Sequence, residues 1–167
     1  MKKRSTRFLS LLLSLLMLIS VFPAGTMTAQ AANSQVEQIL AYARYVAANK
    51  PHAYDGYCQL FVSDCYTSAG YRKVPMGSAL NAGDHWINST SANNIPTGAL
   101  VFFDRSWNSK YGHVGIYAGN GKMYDAESGY GGVKLRRFRT KGYRGWGWYN
   151  RIQPSSNQSQ PTPPAPP

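Results

Sequence analysis

Three residues carry the chemistry this sequence offers: Cys58, His113 and Asp125. Cys58 stands in "GYCQLFVSDCYTSAG", seven residues before the only other cysteine, Cys65. Apolar residues recur through this segment at helical spacing, in the stripe Cys58, Phe61, Val62, Cys65, Tyr66 and Ala69. Gly70 then suits a helix C′ position. Seven helical steps separate the two Cα atoms by roughly 10 Å, beyond the about 7 Å that a disulfide tolerates. A zinc pair needs about two to four intervening residues and a second pair elsewhere, and the three histidines stand in dissimilar contexts. Cys65, in mid-helix among apolar residues, reads as core. Cys58 sits at the helix start, where unpaired N–H groups and the positive end of the dipole favour a thiolate.

A thiolate nucleophile works with a histidine held by a third polar group. His113 opens the strand-like run "HVGIYAG", in which alternation puts Val114 and Ile116 on one face and His113, Gly115 and Tyr117 on the other. Gly115 removes a side chain beside the imidazole, so that another backbone can approach. The turn that follows decides which later residue shares this face. A three-residue loop over Gly119, Asn120 and Gly121 pairs Ala118 with Lys122 and Gly115 with Asp125, which brings Asp125 diagonally across from His113. A two-residue turn shifts the register and sends Asp125 to the opposite face. In the three-residue register Glu127 lies opposite His113 and is the reserve orienting residue. His52 and His85 read as surface or packing histidines.

The elements that must position these groups fall in order along the chain. Ser34 and Glu37 have capping-box spacing, and Val36, Ile39, Leu40, Ala43, Val46 and Ala47 repeat at helical intervals until Pro51, predicting a helix over 35–49. The cysteine helix follows, starting at or just before Cys58. From Pro75 to Thr97 the chain reads as loop with a short helix at most, in "SALNAG". Then "GALVFF", "HVGIYAG", "KMYDA", "VKLRRFR" and "WGWYNRI" are short aromatic or β-branched runs bounded by Gly and Asn, predicting a five-stranded, mostly antiparallel sheet. Helices followed by strands indicate an α+β domain.

The two ends bound this domain. Lys2, Lys3, Arg4 and Arg7 precede the 15-residue apolar run "FLSLLLSLLMLISVF", closed by Pro23 and followed by the small-residue site Ala29-Gln30-Ala31. That pattern predicts a signal peptide over 1–31, cleaved after Ala31, and an exported product with no membrane span after cleavage. "PSSNQSQPTPPAPP", with six prolines in 14 residues and no charge, predicts an extended tail over 154–167. Residues 33–153 form one domain, read as a monomer. Taking the four leader cations from the chain's 18 Lys and Arg leaves 14 against seven acids. Seven of these 14, from Lys134 to Arg151, share a stretch without an acid, which suits polyanionic surroundings. For an exported chain these are anionic wall polymers rather than nucleic acid.

In order, "YCQLFVSDCYTSAG", "GALVFF", "GHVGIYAGNGKMYDA" and "WGWYNRI" resemble the NlpC-type cell-wall cysteine peptidases and the related CHAP amidases and peptidases, over about residues 51–152. The resemblance implies a papain-like α+β fold, with Cys58 as nucleophile, His113 as general base and Asp125 as orienting residue. It implies peptidoglycan as substrate and no metal or organic cofactor. Two departures stand out. The NlpC pattern Asp-Cys-Ser-Gly is here Tyr57-Cys58-Gln59-Leu60, closer to the Gly-x-Cys-x-x-aromatic-Val of CHAP domains, and the third position, commonly His, Asn or Gln, is Asp125. The family's tyrosine near the oxyanion site falls in "PHAYDG", where strict alignment offers His52 and a shift offers Tyr54; Tyr54 is taken, and Gln59 joins it as a substrate-binding candidate. A stem-peptide endopeptidase is the reading taken. A muramoyl-L-alanine amidase of the CHAP kind is the alternative, and a non-catalytic wall-binding module with Tyr143, Trp146, Trp148 and Tyr149 as a sugar platform is the rival of another class.

Overall fold

The computed structural model describes residues 25–106, 110–127 and 131–153, with side chains from Gln35 onward. The apolar leader run and the Pro-rich tail lie outside the described residues. Helix α1 spans Gly25–Asn49, α2 Cys58–Ser68 and α3 Ala79–Trp86, with a 3-10 turn at Pro51–Tyr54. Strands follow at β1 Ile87–Ser89, β2 Leu100–Phe103, β3 His113–Gly119, β4 Lys122–Glu127, β5 Gly132–Arg137 and β6 Tyr143–Gly147, and a second 3-10 turn closes the domain at Tyr149–Arg151. The fold is α+β, with helices packed on an antiparallel sheet of order β1-β6-β2-β3-β4-β5. No helix among the described residues is long and apolar enough to cross a membrane.

Alternation along β2 explains why "LVFF" is wholly buried. Leu100 and Phe102 point into the main core with Ile39, Phe61, Val62 and Ile116, whereas Val101 and Phe103 point into a second core with Ile95, Met123 and Trp148. Both faces of the sheet are therefore covered, and polar alternation is lost. The predicted stripe of α2 is buried at Phe61, Val62, Cys65, Tyr66 and Ala69, while Cys58 at its N-terminus is half-buried. Gly70, at φ +87°, closes α2 as a Schellman cap, with Tyr71 N–H donating to Tyr66 O and Gly70 N–H to Thr67 O.

Four local readings need correction. Helix α1 starts at Gly25, so Ser34 and Glu37 lie inside it; nothing in the segment between is a helix breaker, and a capping box does not stop a helix that continues upstream. A sixth strand, β1, lies in the segment read as loop: three residues are too short to show a period, and pairing with β6 creates the strand. The last strand is 143–147 rather than "WGWYNRI", because the chain turns at Asn150 and Arg151, both with positive φ, and carries Tyr149 into the helix-side core. Finally, the β3–β4 turn has two residues, Asn120 and Gly121, both at positive φ as a type I′ turn requires. A bulge between Tyr117 and Gly119, which pairs Gly119 with Lys122, absorbs the extra residue. The Gly115–Asp125 pairing is thereby retained.

Gly132 shows how tightly the sheet edge grips the turn preceding α2. At φ +71°, a Cβ there would lie 2.0 Å from Pro51 O and 2.9 Å from Asp55 Oδ1. Gly132→Ala is expected to cost about 3 kcal/mol through backbone strain and overpacking, lowering the melting temperature by roughly 10 °C. A thermal melt within 2 °C of the parent would contradict this close approach.

Candidate active site

The N-terminus of α2 meets the start of β3, and there the candidate residues come together. No side chain caps α2. Its first intrahelical bond runs from Phe61 N–H to Tyr57 O, which leaves the N–H groups of Cys58, Gln59 and Leu60 without an acceptor inside the helix. The Cys58 thiol lies close enough to the His113 side chain to raise its pKa through hydrogen bonding and charge. The imidazole is buried and donates from Nε2 to Asp125 Oδ2 at 2.9 Å, so Nδ1 is the ring nitrogen left for the thiol. Asp125 has no exposure at all. It reaches this position because Gly115, its cross-strand partner, has no side chain: a Cβ on Gly115 would stand 2.8 Å from Tyr124 O and 3.2 Å from Asp125 Cβ.

Burial alone would lower the His113 pKa, but the hydrogen bonds to Asp125 and Cys58 outweigh it and push the imidazole up to about 9. Since the imidazole of an unfolded chain titrates near 6.5, the charged form stabilises the fold fully below that pH, and this contribution is lost as pH rises through about 9. A raised folded-state pKa therefore predicts that unfolding free energy falls by about 3 kcal/mol between pH 6 and 9.5. Urea unfolding midpoints across this window check it, and a flat profile would exclude the buried ion pair.

The remaining candidates occupy other places. Tyr54 donates its hydroxyl to Asp64 Oδ2 at 2.9 Å and shares a 3.2 Å hydrogen bond with Tyr42, with its pKa raised by burial and by these two neighbours. Its hydroxyl is thus committed to the α1–α2 contact rather than to the thiol. Gln59 lines the cleft beside Cys58, and both polar atoms of its amide are buried without a partner. Glu127 stands 3.6 Å from Arg136 Nε. His52 pairs with Asp55 at the surface, and His85, also exposed, is bonded to Asn81 O on α3. Both cysteines are free, and burial raises the Cys65 thiol pKa well above its ordinary value.

A cleft of about 890 Å³ opens beside Cys58, walled by Asp55–Leu60 on one side and Lys73–Ala79 on the other. Exposed Tyr57 and Tyr111 stand at its rim. The far wall is anchored by Tyr149, whose hydroxyl accepts from Val74 N–H at 2.8 Å and is hydrogen-bonded to Ser63 Oγ on α2 at 2.9 Å. Tyr149 and Trp148 are buried, so their rings serve the cores and are not available as a sugar platform. A neighbouring recess of about 1020 Å³ shares Ser78 and Tyr111 with this cleft and is lined by Arg105, Lys110 and Arg144.

One residue of the site escaped sequence reasoning. Arg136 donates from Nε to Asp125 Oδ1 at 2.6 Å, although its basic stretch reads as suited to polyanionic surroundings. The β4–β5 register pairs Met123 with Arg136 and Asp125 with Lys134, which puts Arg136 diagonally beside Asp125 on the same face. The signal was present in that spacing, but it required the register of β5.

A helix-borne thiol set against a strand-borne imidazole, on an α+β scaffold of this order, is the arrangement of the papain-like cysteine peptidases. Within that class the chain belongs to the NlpC/P60 family, whose profile matches residues 43–151. It is 36% identical over 90 residues to "Probable endopeptidase p60" of Listeria grayi, covering 52% of this chain and 16% of that protein. The p60 protein of Listeria monocytogenes matches at the same identity over 52% of this chain and 17% of its own length. The chain thus spans about a sixth of these curated relatives. The fold is similar to that of the P60 domain of an antigen from Mycobacterium avium subspecies paratuberculosis, with TM-score 0.52 and 18% identity over 72% of this chain and 98% of that one. It is also similar to the Mycobacterium tuberculosis peptidoglycan hydrolase RipB, with TM-score 0.55 and 18% identity over 86% of this chain and 77% of that one.

Proposed function

We propose that this protein is an exported peptidoglycan hydrolase that cleaves an amide bond of the cell-wall stem peptide with Cys58, His113 and Asp125. The observation that carries this reading is the buried imidazole of His113, bonded to Asp125 on one side and to the thiol of Cys58 on the other. Nothing in a structural core requires a half-buried thiol at an uncapped helix start to meet such a pair. In the reaction, His113 holds the proton of the Cys58–His113 pair as the imidazolium, and the Cys58 sulfur attacks the scissile carbonyl carbon as the thiolate. The oxyanion is received by the N–H groups of Cys58 and Gln59, a role worth about 3 kcal/mol of transition-state stabilisation in comparable sites. His113 then protonates the leaving amine, and water activated by the same imidazole hydrolyses the thioester, releasing the carboxylate and restoring the thiol.

Membership of the NlpC/P60 family and likeness to proteins named as endopeptidases support the stem-peptide bond over the muramoyl-L-alanine bond. The amide of Gln59, buried at the cleft without a partner, suits the C=O and N–H of a bound peptide. The leader pattern of residues 1–31 supports export, and exposed Lys134, Arg137, Arg139 and Lys141 suit anionic wall polymers. Mass spectrometry of fragments released from purified walls tests the reading. New stem-peptide amine and carboxyl termini are expected. Release of intact stem peptides with a free lactyl carboxylate would replace it with the amidase, and the absence of any product would leave a wall-binding module.

A further inference from the structure

Asp125 is a wholly buried carboxylate with cationic groups on both oxygens: Nε2 of His113 lies 2.9 Å from Oδ2, and Nε of Arg136 lies 2.6 Å from Oδ1. The guanidinium is itself fixed, because Nη2 donates to Gly132 O at 2.9 Å at the head of the same strand. A carboxylate held through one oxygen keeps a broad torsion about its last bond and can swing away from the imidazole. A planar guanidinium on the second oxygen removes that freedom, because its N–H directions are rigid. We propose that Arg136 is a positioning residue of the active site, clamping Asp125 so that its other oxygen holds His113 toward Cys58.

This inference rests on the assignment of Cys58, His113 and Asp125 made above and adds a fourth member to it. It also separates Arg136 from the basic stretch in which it lies: Lys134, Arg137 and Arg139 are exposed, whereas the Arg136 side chain is mostly buried against two carboxylates. The groups acting on the imidazole are Asp125 on β4 and Cys58 on α2; around Asp125 stand Arg136 on β5, which also faces Glu127, and Lys134 as its cross-strand partner, while Asp55, paired with exposed His52, lies beside Gly132 at the head of β5. Of these, Arg136 is the permanent cation bonded to Asp125, the carboxylate that holds His113. Its charge disfavours the imidazolium, so its removal strengthens the hold of Asp125 on the proton of His113.

Arg136→Met and Arg136→Lys test the clamp through three readouts: melting temperature, turnover of a soluble peptidoglycan fragment, and the pH profile of Cys58 alkylation by iodoacetamide. Arg136→Met is expected to lower kcat by about ten- to a hundredfold with KM changed less than about threefold. It is also expected to move the inflection of the alkylation profile upward by about one pH unit. Arg136→Lys, which retains charge but not the planar fork, is expected to keep the inflection near that of the parent while losing about tenfold in kcat. The inference is overturned if both variants melt, turn over and titrate like the parent. It is equally overturned if Arg136→Met fails to fold and Arg136→Lys matches the parent in every readout. A parent protein without turnover but with a Met-shifted alkylation profile would remove the hydrolase reading and keep the clamp. Parent-like variants of an active hydrolase would do the reverse.

Discussion

Cys58→Ala is expected to leave a folded protein with peptidoglycan turnover reduced at least about ten-thousand-fold, the scale seen when a nucleophile is removed from a hydrolytic triad. The fold survives because Cys58 is half-buried at the first turn of α2, at the edge of the main core rather than within it, and alanine is a good helix former. The helix keeps its hold on the sheet through Phe61, Val62, Cys65 and Tyr66, none of which is touched. No second thiol can substitute. Cys65 is wholly buried, and burial keeps it in the unreactive protonated form. The variant should melt within about 2 °C of the parent, since a substitution away from the core shifts stability by little. Residual turnover near the parent rate would transfer the nucleophile elsewhere and end the proposed mechanism.

Asp125→Ala has the next largest expected effect, and it acts on both stability and rate. Removing the carboxylate leaves the His113 imidazole and the Arg136 guanidinium facing a cavity in a buried site, which costs about 3–5 kcal/mol when one partner of a buried ion pair is lost. Turnover falls with it by about a thousand- to ten-thousand-fold, because the imidazole loses both its orientation and the charge that favours its protonated form. Asp125→Asn separates the two effects. An amide offers one acceptor oxygen to two donors, His113 Nε2–H and Arg136 Nε–H, so one of them must face an N–H group. The Asn variant should retain more stability than the Ala variant and lose activity on a similar scale. The fall in stability between pH 6 and 9.5 should also flatten in both. Parent-like kcat in Asp125→Asn, measured beside its urea midpoint, would show that the carboxylate serves packing alone.

Local information in the chain went far toward the geometry of the candidate site because that geometry is built from local devices. The α2 stripe ends in a glycine cap and leaves Cys58 at a helix start, and the strand opened by His113 is followed by a turn whose residues demand positive φ. From these alone the pairing of Gly115 with Asp125 can be written down, although the turn proved to be two residues with a compensating bulge. That the two errors cancelled reflects the pleat: side-chain facing depends on the count of paired residues, and one bulge restores what one residue of loop length changes.

What stayed hidden depends on contacts between distant segments, for which spacing holds no signal. Strand β1 exists through its pairing with β6, some 60 residues later in the chain, and three residues cannot announce a period. Tyr54 is drawn to Asp64 and Tyr42 because two helices converge there, and its hydroxyl finds its partners in that contact. Arg136 looks like one more cation in a basic run until the β4–β5 register carries it beside Asp125. Residue type and short-range periodicity therefore dictated which elements form and which groups could react. Folding in three dimensions decided which charges are buried together, because only packing removes the water that would otherwise keep them apart.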